Sequence, residues 1–141
     1  MIKLEKTLYT ASATAFAGRD GRVKTDDGTL DLSVVPPKSL GGSGAPGTNP
    51  EQLFAAGYAA CFGSAVGVVA RRLKLQPGPV QVTAKVHLGP AGQSYGLAVE
   101  LSVNMPELQR ERAEEVIRAA HEVCPYSNAT RGNIDVQVKL A

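Results

Sequence analysis

The pattern of apolar and polar residues predicts three groups of β-strands along the chain. Residues 2–35 hold short runs with Thr, Val and Leu, separated by hairpin-type turn signals at Asp20-Gly21 and Asp27-Gly28. Two longer runs, 80–88 and 97–103, alternate apolar and more polar residues on either side of a Gly-Pro-Ala-Gly turn region. A last alternating run covers 134–140. The longer runs are typical of half-buried strands, each with one face on a core.

The first helix-like segment follows a loop rich in Gly and Pro, residues 36–49, which is either a linker or a surface loop that shapes a site. Asn49 can cap the helix, Pro50 fits its first position, and Glu51 favours the positive end of the helix dipole. The helix is predicted to run to about Leu73 and is apolar on nearly all sides, which indicates burial in protein. Because a domain of this size cannot easily surround such a helix, we expect a homodimer in which it packs against its counterpart.

A second helix is predicted to begin near Pro106, because Asn104 and Glu107 have the spacing of a capping box. Its inner apolar stripe ends at Cys124, directly before Pro125, where the helix must stop. The order strands, helix, strands, helix, strand predicts an α+β fold. The length of 141 residues fits one domain spanning residues 1–141.

Composition excludes some classes of function. The net charge is +2 and the Lys and Arg residues are scattered, so neither a basic stripe nor an aromatic platform for nucleic acid is expected. The first ten residues mix charges with apolar residues, unlike a signal peptide. The most apolar stretch, 53–70, is dense in Gly and Ala and fits a buried helix better than a membrane span. We therefore expect a cytoplasmic protein that binds neither membrane nor nucleic acid.

The two cysteines are the main candidates for chemistry, because structural disulfides are rare in the cytosol. They could be buried core residues, metal ligands or redox-active residues, and composition does not decide between these. A metal site would draw on Cys61, Cys124, His87 and His121, which lack the spacing of a zinc motif. We expect no metal and no cofactor. Taken alone, a helical cysteine among Ala and Gly is usually core filling.

Longer motifs change this assessment. Residues 49–62, NPEQLFAAGYAACF, resemble the first-cysteine motif of the Ohr/OsmC family. Residues 123–133, VCPYSNATRGN, resemble the second-cysteine motif of its organic hydroperoxide resistance branch, and 8–22 fit that branch too. The resemblance spans essentially the whole chain. It implies an OsmC-like fold, with antiparallel sheets around a long buried central helix in an intertwined homodimer.

The resemblance also implies a function and a set of residues. The chain would be a thiol peroxidase that reduces organic hydroperoxides, with Cys61 as the peroxidatic residue and Cys124 as the resolving residue. Arg19 would be the cation near the thiolate, and Glu51 the carboxylate that orients Arg19. A dithiol of the lipoyl type would be the reductant. A cation beside a thiol lowers its pKa, whereas burial alone raises it, so these roles agree with the chemistry of cysteine.

Two expectations concern the surroundings of Cys61. Its apolar neighbourhood, with Phe54, Tyr58 and Tyr126, is expected to form a pocket for bulky organic hydroperoxides. Glu51 precedes Cys61 by ten residues, about 15 Å along a straight helix. Either the helix bends, or two antiparallel copies place Glu51 of one chain near Cys61 of the other, and we expect the second arrangement.

Three alternatives remain open at this point. The disulfide could belong to a non-enzymatic redox sensor, in which oxidation changes a binding surface. The chain could be a small-molecule binding dimer with inert buried cysteines. Within the enzyme class, it could be an OsmC-type peroxidase with a broader peroxide preference.

Overall fold

Six β-strands and three α-helices form the protein, in a computed structural model that describes all 141 residues. The chain divides into two units, Met1–Leu53 and Phe54–Ala141, which we call the first and second units. Each unit contains one three-stranded sheet. The expectation of one domain over residues 1–141 stays a prediction.

The first unit carries an antiparallel sheet in the order β1-β2-β3, with β1 at Ala13–Phe16, β2 at Gly21–Thr25 and β3 at Asp31–Val34. The Asp27-Gly28 signal lies between β2 and β3, as predicted, and the Asp20-Gly21 signal lies at the end of the β1–β2 turn, with Gly21 as the first residue of β2. The loop that follows is not wholly irregular. It contains a short 3-10 helix, Lys38–Leu40, and returns to the end of β3, where the N–H of Val35 donates to the carbonyl of Thr48 at 2.9 Å.

Helix α1 spans Pro50–Arg72, within one residue of the predicted end. The predicted cap is confirmed, since the Asn49 side-chain oxygen accepts a hydrogen bond from the N–H of Gln52 at 2.9 Å. Within this chain the helix is buried on one face, and its other faces are half-buried or exposed. The expectation of all-round burial is therefore not met by one chain alone. The buried residues recur at helical spacing: Tyr58, Phe62, Ala65, Val66, Val69 and Ala70.

By length and composition alone, α1 could also cross a membrane. This is weak evidence, because the core helix of a protein that folds in water passes the same test. The absence of a membrane span stays a prediction.

The second unit carries β4 at Gln81–Ala91, β5 at Ser94–Asn104 and β6 at Val136–Leu140. Strands β4 and β5 form an antiparallel hairpin whose turn is shorter than the Gly-Pro-Ala-Gly region predicts. Strands β5 and β6 are parallel, so the expectation of antiparallel sheets holds for every strand pair except this one. The exception arises because the chain passes through two helices between β5 and β6, and such a crossover connects parallel strands.

Those two helices are α2, Arg110–Val123, and α3, Pro125–Thr130. The predicted start near Pro106 is wrong. The N–H of Glu107 donates to the distant carbonyl of Pro77 and that of Leu108 to Met105, so these residues form a turn. Helix α3 was not predicted, because six residues are too few to show a helical period.

The hydrophobic core lies in the second unit. One face of α1, the inner face of the sheet and the inner stripe of α2 supply its fully buried side chains. The largest of these are Tyr58, Phe62, Val66, Val99, Leu101, Val103, Val116 and Cys124. Both cysteines thus belong to one packed body, Cys124 as a core residue and Cys61 at its margin.

Candidate active site

Two free thiols face each other where α1 meets the junction of α2 and α3. Cys61 lies in the middle of α1 and is half-buried, whereas Cys124 is fully buried. Their Sγ atoms are 3.6 Å apart. A disulfide has an S–S distance of about 2.05 Å, so oxidation of the two thiols could join the sulfurs after they approach by about 1.5 Å.

Local sequence explains where Cys124 lies. Its backbone is extended (φ −68°, ψ 123°), and the residue ends α2 and precedes α3. Pro125 has no N–H and favours an extended residue before it, which stops α2 and starts α3. Helix α3 approaches α1 closely at Gly57, where a Cβ would lie 2.8 Å from the Tyr126 hydroxyl oxygen. Glycine at this position therefore allows the contact between the two helices.

The electrostatic environment of Cys61 within this chain does not favour a thiolate. Burial is the largest influence and raises the pKa of the Cys61 thiol, and the neighbouring Cys124 acts in the same direction. The backbone N–H of Tyr126, near the start of α3, donates to the Cys61 sulfur and acts against the rise. A reactive Cys61 at neutral pH therefore needs a positive charge in addition to this N–H.

The first unit holds an arginine–carboxylate pair at the tip of its β1–β2 turn. Arg19 donates from Nη1 to Oε2 of Glu51 at 2.9 Å and from Nη2 to Oε1 at 2.7 Å. This two-point geometry fixes the plane of the guanidinium. The Arg19 hydrogen bond holds the pKa of Glu51 below its usual value and raises the pKa of Arg19, so both groups are charged at neutral pH.

The turn itself orients Arg19. Ala17 and Gly18 both have positive φ, 54° and 56°, and the N–H of Asp20 donates to the carbonyl of Ala17 at 3.1 Å, so Gly18 and Arg19 are the two central residues of a hydrogen-bonded turn. Such turns connect adjacent strands tightly. Glu51 occupies the first turn of α1, where the helix dipole also favours its charge.

An apolar cavity of about 510 Å³ lies in the second unit. Phe54 and Tyr126, two of the three predicted pocket residues, line it. Tyr58 is fully buried and does not line it, although its ring is 5.6 Å from that of Tyr126. Neither cysteine lines the cavity, but Tyr126 does, and its backbone hydrogen bond acts on the Cys61 sulfur. The other lining residues are Tyr95, Gly96, Leu97, Ala129, Thr130, Asn133 and Ile134.

Four polar side chains beside the cysteines form a hydrogen-bond network that the sequence did not predict: Tyr58, His121, Ser127 and Thr130. The Tyr58 hydroxyl lies 2.9 Å from Ser127 Oγ and 3.2 Å from Thr130 Oγ1. His121 Nδ1 lies 2.8 Å from Ser127 Oγ. The signal was present in the helical spacing, since Tyr58 is three residues before Cys61 and Ser127 three residues after Cys124.

The structure thus brings Cys61 to Cys124 in the second unit and Arg19 to Glu51 in the first. Each pair is described within its own unit, and a contact between the two pairs remains a prediction. No three His, Cys, Asp or Glu side chains converge anywhere in the chain as a metal-binding group.

Comparisons with known proteins agree with the geometry. The family model described as OsmC-like protein matches residues 41–139. An organic hydroperoxide resistance protein of Xanthomonas axonopodis pv. citri is 50% identical over 142 aligned positions, covering 100% of both chains. Among solved structures, one from Elizabethkingia anophelis described as an organic hydroperoxide resistance protein has a TM-score of 0.91 and 51% identity, covering 96% of this chain and 98% of that one.

A second solved structure, the organic hydroperoxide resistance protein OhrB of Bacillus subtilis, has a TM-score of 0.89 and 46% identity. The match covers 96% of this chain and 100% of OhrB. These relatives cover 96–100% of the chain, and the two solved structures share its fold. The chain therefore belongs to the OsmC-like family and, within it, to the organic hydroperoxide resistance branch.

Proposed function

We propose that this protein is a cysteine-based peroxidase that reduces organic hydroperoxides to alcohols and so takes part in defence against oxidative stress. The names of its relatives support a role in organic hydroperoxide resistance. The observation that carries the proposal is the thiol pair. Cys61 is partly accessible, and its sulfur lies 3.6 Å from the buried sulfur of Cys124. Tyr126, which acts on the Cys61 sulfur through its backbone, also lines the apolar cavity.

In the first step, the Cys61 thiolate attacks the outer oxygen of the hydroperoxide. The O–O bond breaks, the outer OH passes to the sulfur so that Cys61 becomes a sulfenic acid, and the leaving alkoxide takes up a proton from solvent to become the alcohol. Arg19 is the proposed cation of this step, because burial raises the pKa of Cys61 and a guanidinium beside the sulfur reverses that effect. It also stabilises charge that develops on the peroxide. Glu51 holds Arg19 in position through its two hydrogen bonds.

In the second step, the Cys124 thiol condenses with the sulfenic acid. An S–S bond forms, the S–O bond of Cys61 breaks, and the hydroxyl leaves with the thiol proton as water. The disulfide protects Cys61 from irreversible oxidation. An external dithiol, for which we propose a lipoyl-type compound in the cytoplasm, then reduces the disulfide by thiol–disulfide exchange.

The cavity beside Tyr126 is the proposed site for the organic part of the substrate. Its lining is mostly apolar, and its volume of about 510 Å³ is large enough for a bulky group. Hydrogen peroxide has no such group, so contact with this apolar surface does not strengthen its binding. We therefore propose a preference for organic, including lipid, hydroperoxides.

We also propose that the protein is an intertwined homodimer with two active sites. The first unit leaves large apolar side chains exposed, among them Leu8, Tyr9 and Phe16, and α1 buries only one face in this chain. Exposed apolar groups on this scale are typical of interaction surfaces. A second, antiparallel copy would cover them and place the Arg19–Glu51 pair of one chain near Cys61 of the other.

Thiol counting after rapid mixing tests the proposal. The reduced protein is mixed with stoichiometric cumene hydroperoxide or hydrogen peroxide and quenched. We expect fast loss of both thiols with cumene hydroperoxide and slower loss with hydrogen peroxide. Cys61→Ser should abolish the reaction, and Cys124→Ser should stop at a trappable sulfenic acid.

Other outcomes identify the alternatives. Survival of both thiols would contradict the peroxidase and favour a binding dimer with inert cysteines. Equal rates with both peroxides would favour the broader OsmC-type preference. Oxidation that no dithiol reverses catalytically would favour a redox sensor.

A further inference from the structure

A hydrogen-bonded cluster lies beside the two cysteines and takes no part in the steps described above. It consists of Tyr58, His121, Ser127 and Thr130, which we call the hydroxyl cluster. Ser127 is its centre, because Ser127 Oγ lies within 2.9 Å of both Tyr58 Oη and His121 Nδ1. Tyr58 and Ser127 are fully buried. Buried polar groups need partners, and each group here has one within the cluster.

The cluster is in register with the cysteine pair. Tyr58 and Cys61 are three residues apart on α1, and residues at this spacing lie on the same face of a helix. Cys124 and Ser127 are also three residues apart, from the cap of α3 into its first turn. The Tyr58–Ser127 and Cys61–Cys124 contacts therefore join the same two segments, one helical turn apart.

Helix α3 depends on such contacts for its position. It has six residues, and isolated helices of that length are not stable in water. Its first turn begins at Cys124, whose carbonyl accepts the N–H of Asn128 at 2.9 Å. Ser127 ties α3 to Tyr58 on α1 and to His121 on α2. Any shift of α3 would therefore move Cys124 relative to Cys61.

We propose that the hydroxyl cluster positions Cys124 for disulfide formation with Cys61, with Ser127 and Tyr58 as its key residues. This inference rests on the proposed function. In the step concerned, the Cys124 sulfur attacks the Cys61 sulfenic acid, the S–S bond forms, and water leaves with the Cys124 proton. We assign the members of the cluster no contact with the reacting sulfenic oxygen, so they are positioning residues.

The distances give the expected size of the effect. The sulfurs must approach from 3.6 Å to about 2.05 Å for the bond to form. A misplacement of about 1 Å can slow a well-oriented reaction about 100-fold. Loss of one tether of α3 should thus slow the second step by about 10- to 100-fold. The first step depends on α3 only through Tyr126 and the cavity lining, so it should slow much less than the second.

The test separates the two steps in Ser127→Ala and Tyr58→Phe, each of which removes one hydroxyl. Each protein is mixed with cumene hydroperoxide, quenched with dimedone at short times and analysed by mass spectrometry. We expect the sulfenic acid to appear with little delay, the disulfide to form much more slowly than in the wild type, and Cys61 sulfinic acid to accumulate in excess peroxide. Val103→Ala, a buried change on β5, serves as the control for lost stability.

Two results would overturn the inference. One is disulfide formation at the wild-type rate in both variants. The other is equal slowing of both steps, matched by Val103→Ala at similar loss of thermal stability, which would mean a merely structural role.

A second readout needs no peroxide. Each protein is equilibrated with mixtures of oxidised and reduced dithiothreitol, and the disulfide fraction gives the effective concentration of the thiol pair. A decrease of tenfold or more in Ser127→Ala supports positioning, and an unchanged value contradicts it. If the wild type forms no sulfenic acid with peroxide, the proposed function fails, and this equilibrium still decides whether the cluster positions Cys124.

Discussion

The two units of this protein treat their apolar side chains differently. The second unit, Phe54–Ala141, buries Leu101, Phe62 and their neighbours completely. The first unit, Met1–Leu53, has one fully buried apolar residue, Val34, and leaves Leu8 85% exposed. A sheet whose apolar residues face solvent cannot gain much stability from burial within its own chain. The difference indicates that the first unit needs a partner surface, which our proposed homodimer supplies.

The candidate chemistry is divided in the same way. The second unit supplies the sulfur, in a buried setting that raises the pKa of Cys61. In the proposed mechanism the first unit supplies the charge, in the Arg19–Glu51 pair near the surface. Neither unit alone is sufficient for a peroxidase. A buried neutral thiol is a poor nucleophile, and the Arg19–Glu51 pair has no thiol to activate within its own unit. The comparison therefore predicts that substitutions in the two units differ in their effects on stability and on the reactivity of Cys61.

The largest expected effect is on the free energy of unfolding, and it is seen by replacing one leucine in each unit. Leu101→Ala empties part of a filled core and should lower the free energy of unfolding by about 2–5 kcal/mol at every protein concentration. Leu8→Ala removes an exposed side chain and should be nearly neutral in the monomer. In the dimer it should lower the melting temperature to an extent that depends on protein concentration. Thermal unfolding over a range of concentrations, with sedimentation, measures both.

If Leu8→Ala is neutral at all concentrations and the wild type sediments as a monomer, the proposed dimer is wrong. The exposed surface of the first unit would then need another partner.

The next effect concerns the positive charge that we propose for the activation of Cys61. Arg19→Ala should slow thiol oxidation by cumene hydroperoxide at pH 7 by about 100- to 1,000-fold, the usual cost of one lost electrostatic contact in a transition state. It should also raise the pKa of Cys61, because burial is then unopposed by the cation. The pH dependence of alkylation by iodoacetamide measures this pKa.

Arg22→Ala provides a close control, since Arg22 forms a similar exposed pair with Asp31 at 2.6 Å in the same unit. It should leave both the rate and the pKa unchanged. An unchanged alkylation profile in Arg19→Ala would refute Arg19 as the activating cation.

Sequence predicted the parts of this structure that depend on local signals. The cap at Asn49 and the alternating strands follow from side-chain chemistry over a few residues. The start of α2 was mispredicted because the N–H of Glu107 bonds Pro77, a contact between residues 30 positions apart that no local pattern records. The Arg19–Glu51 pair, 32 residues apart, came from the family resemblance alone. Ser127 lies inside the second-cysteine motif, but only the structure shows that it connects three helices.

The smallest effect tests whether the carboxylate of the first unit acts only through Arg19. Glu51→Gln keeps the shape of the side chain and removes its charge. An ion pair with one exposed partner typically contributes up to about 1 kcal/mol, so the rate of thiol oxidation should fall by about five-fold, less than in Arg19→Ala.

The pH dependence of this variant identifies the cause. Because the Arg19 hydrogen bond lowers the pKa of Glu51 in the folded protein, the pair stabilises the fold above the ordinary glutamate pKa of about 4.3. That contribution is lost as the pH falls through the lowered pKa of the folded state. The wild type should thus be slightly more stable than Glu51→Gln between pH 5 and 7, and the two should converge in acid, as measured by urea unfolding. A constant difference down to low pH would mean that Glu51 contributes through packing or the helix end rather than through its charge on Arg19.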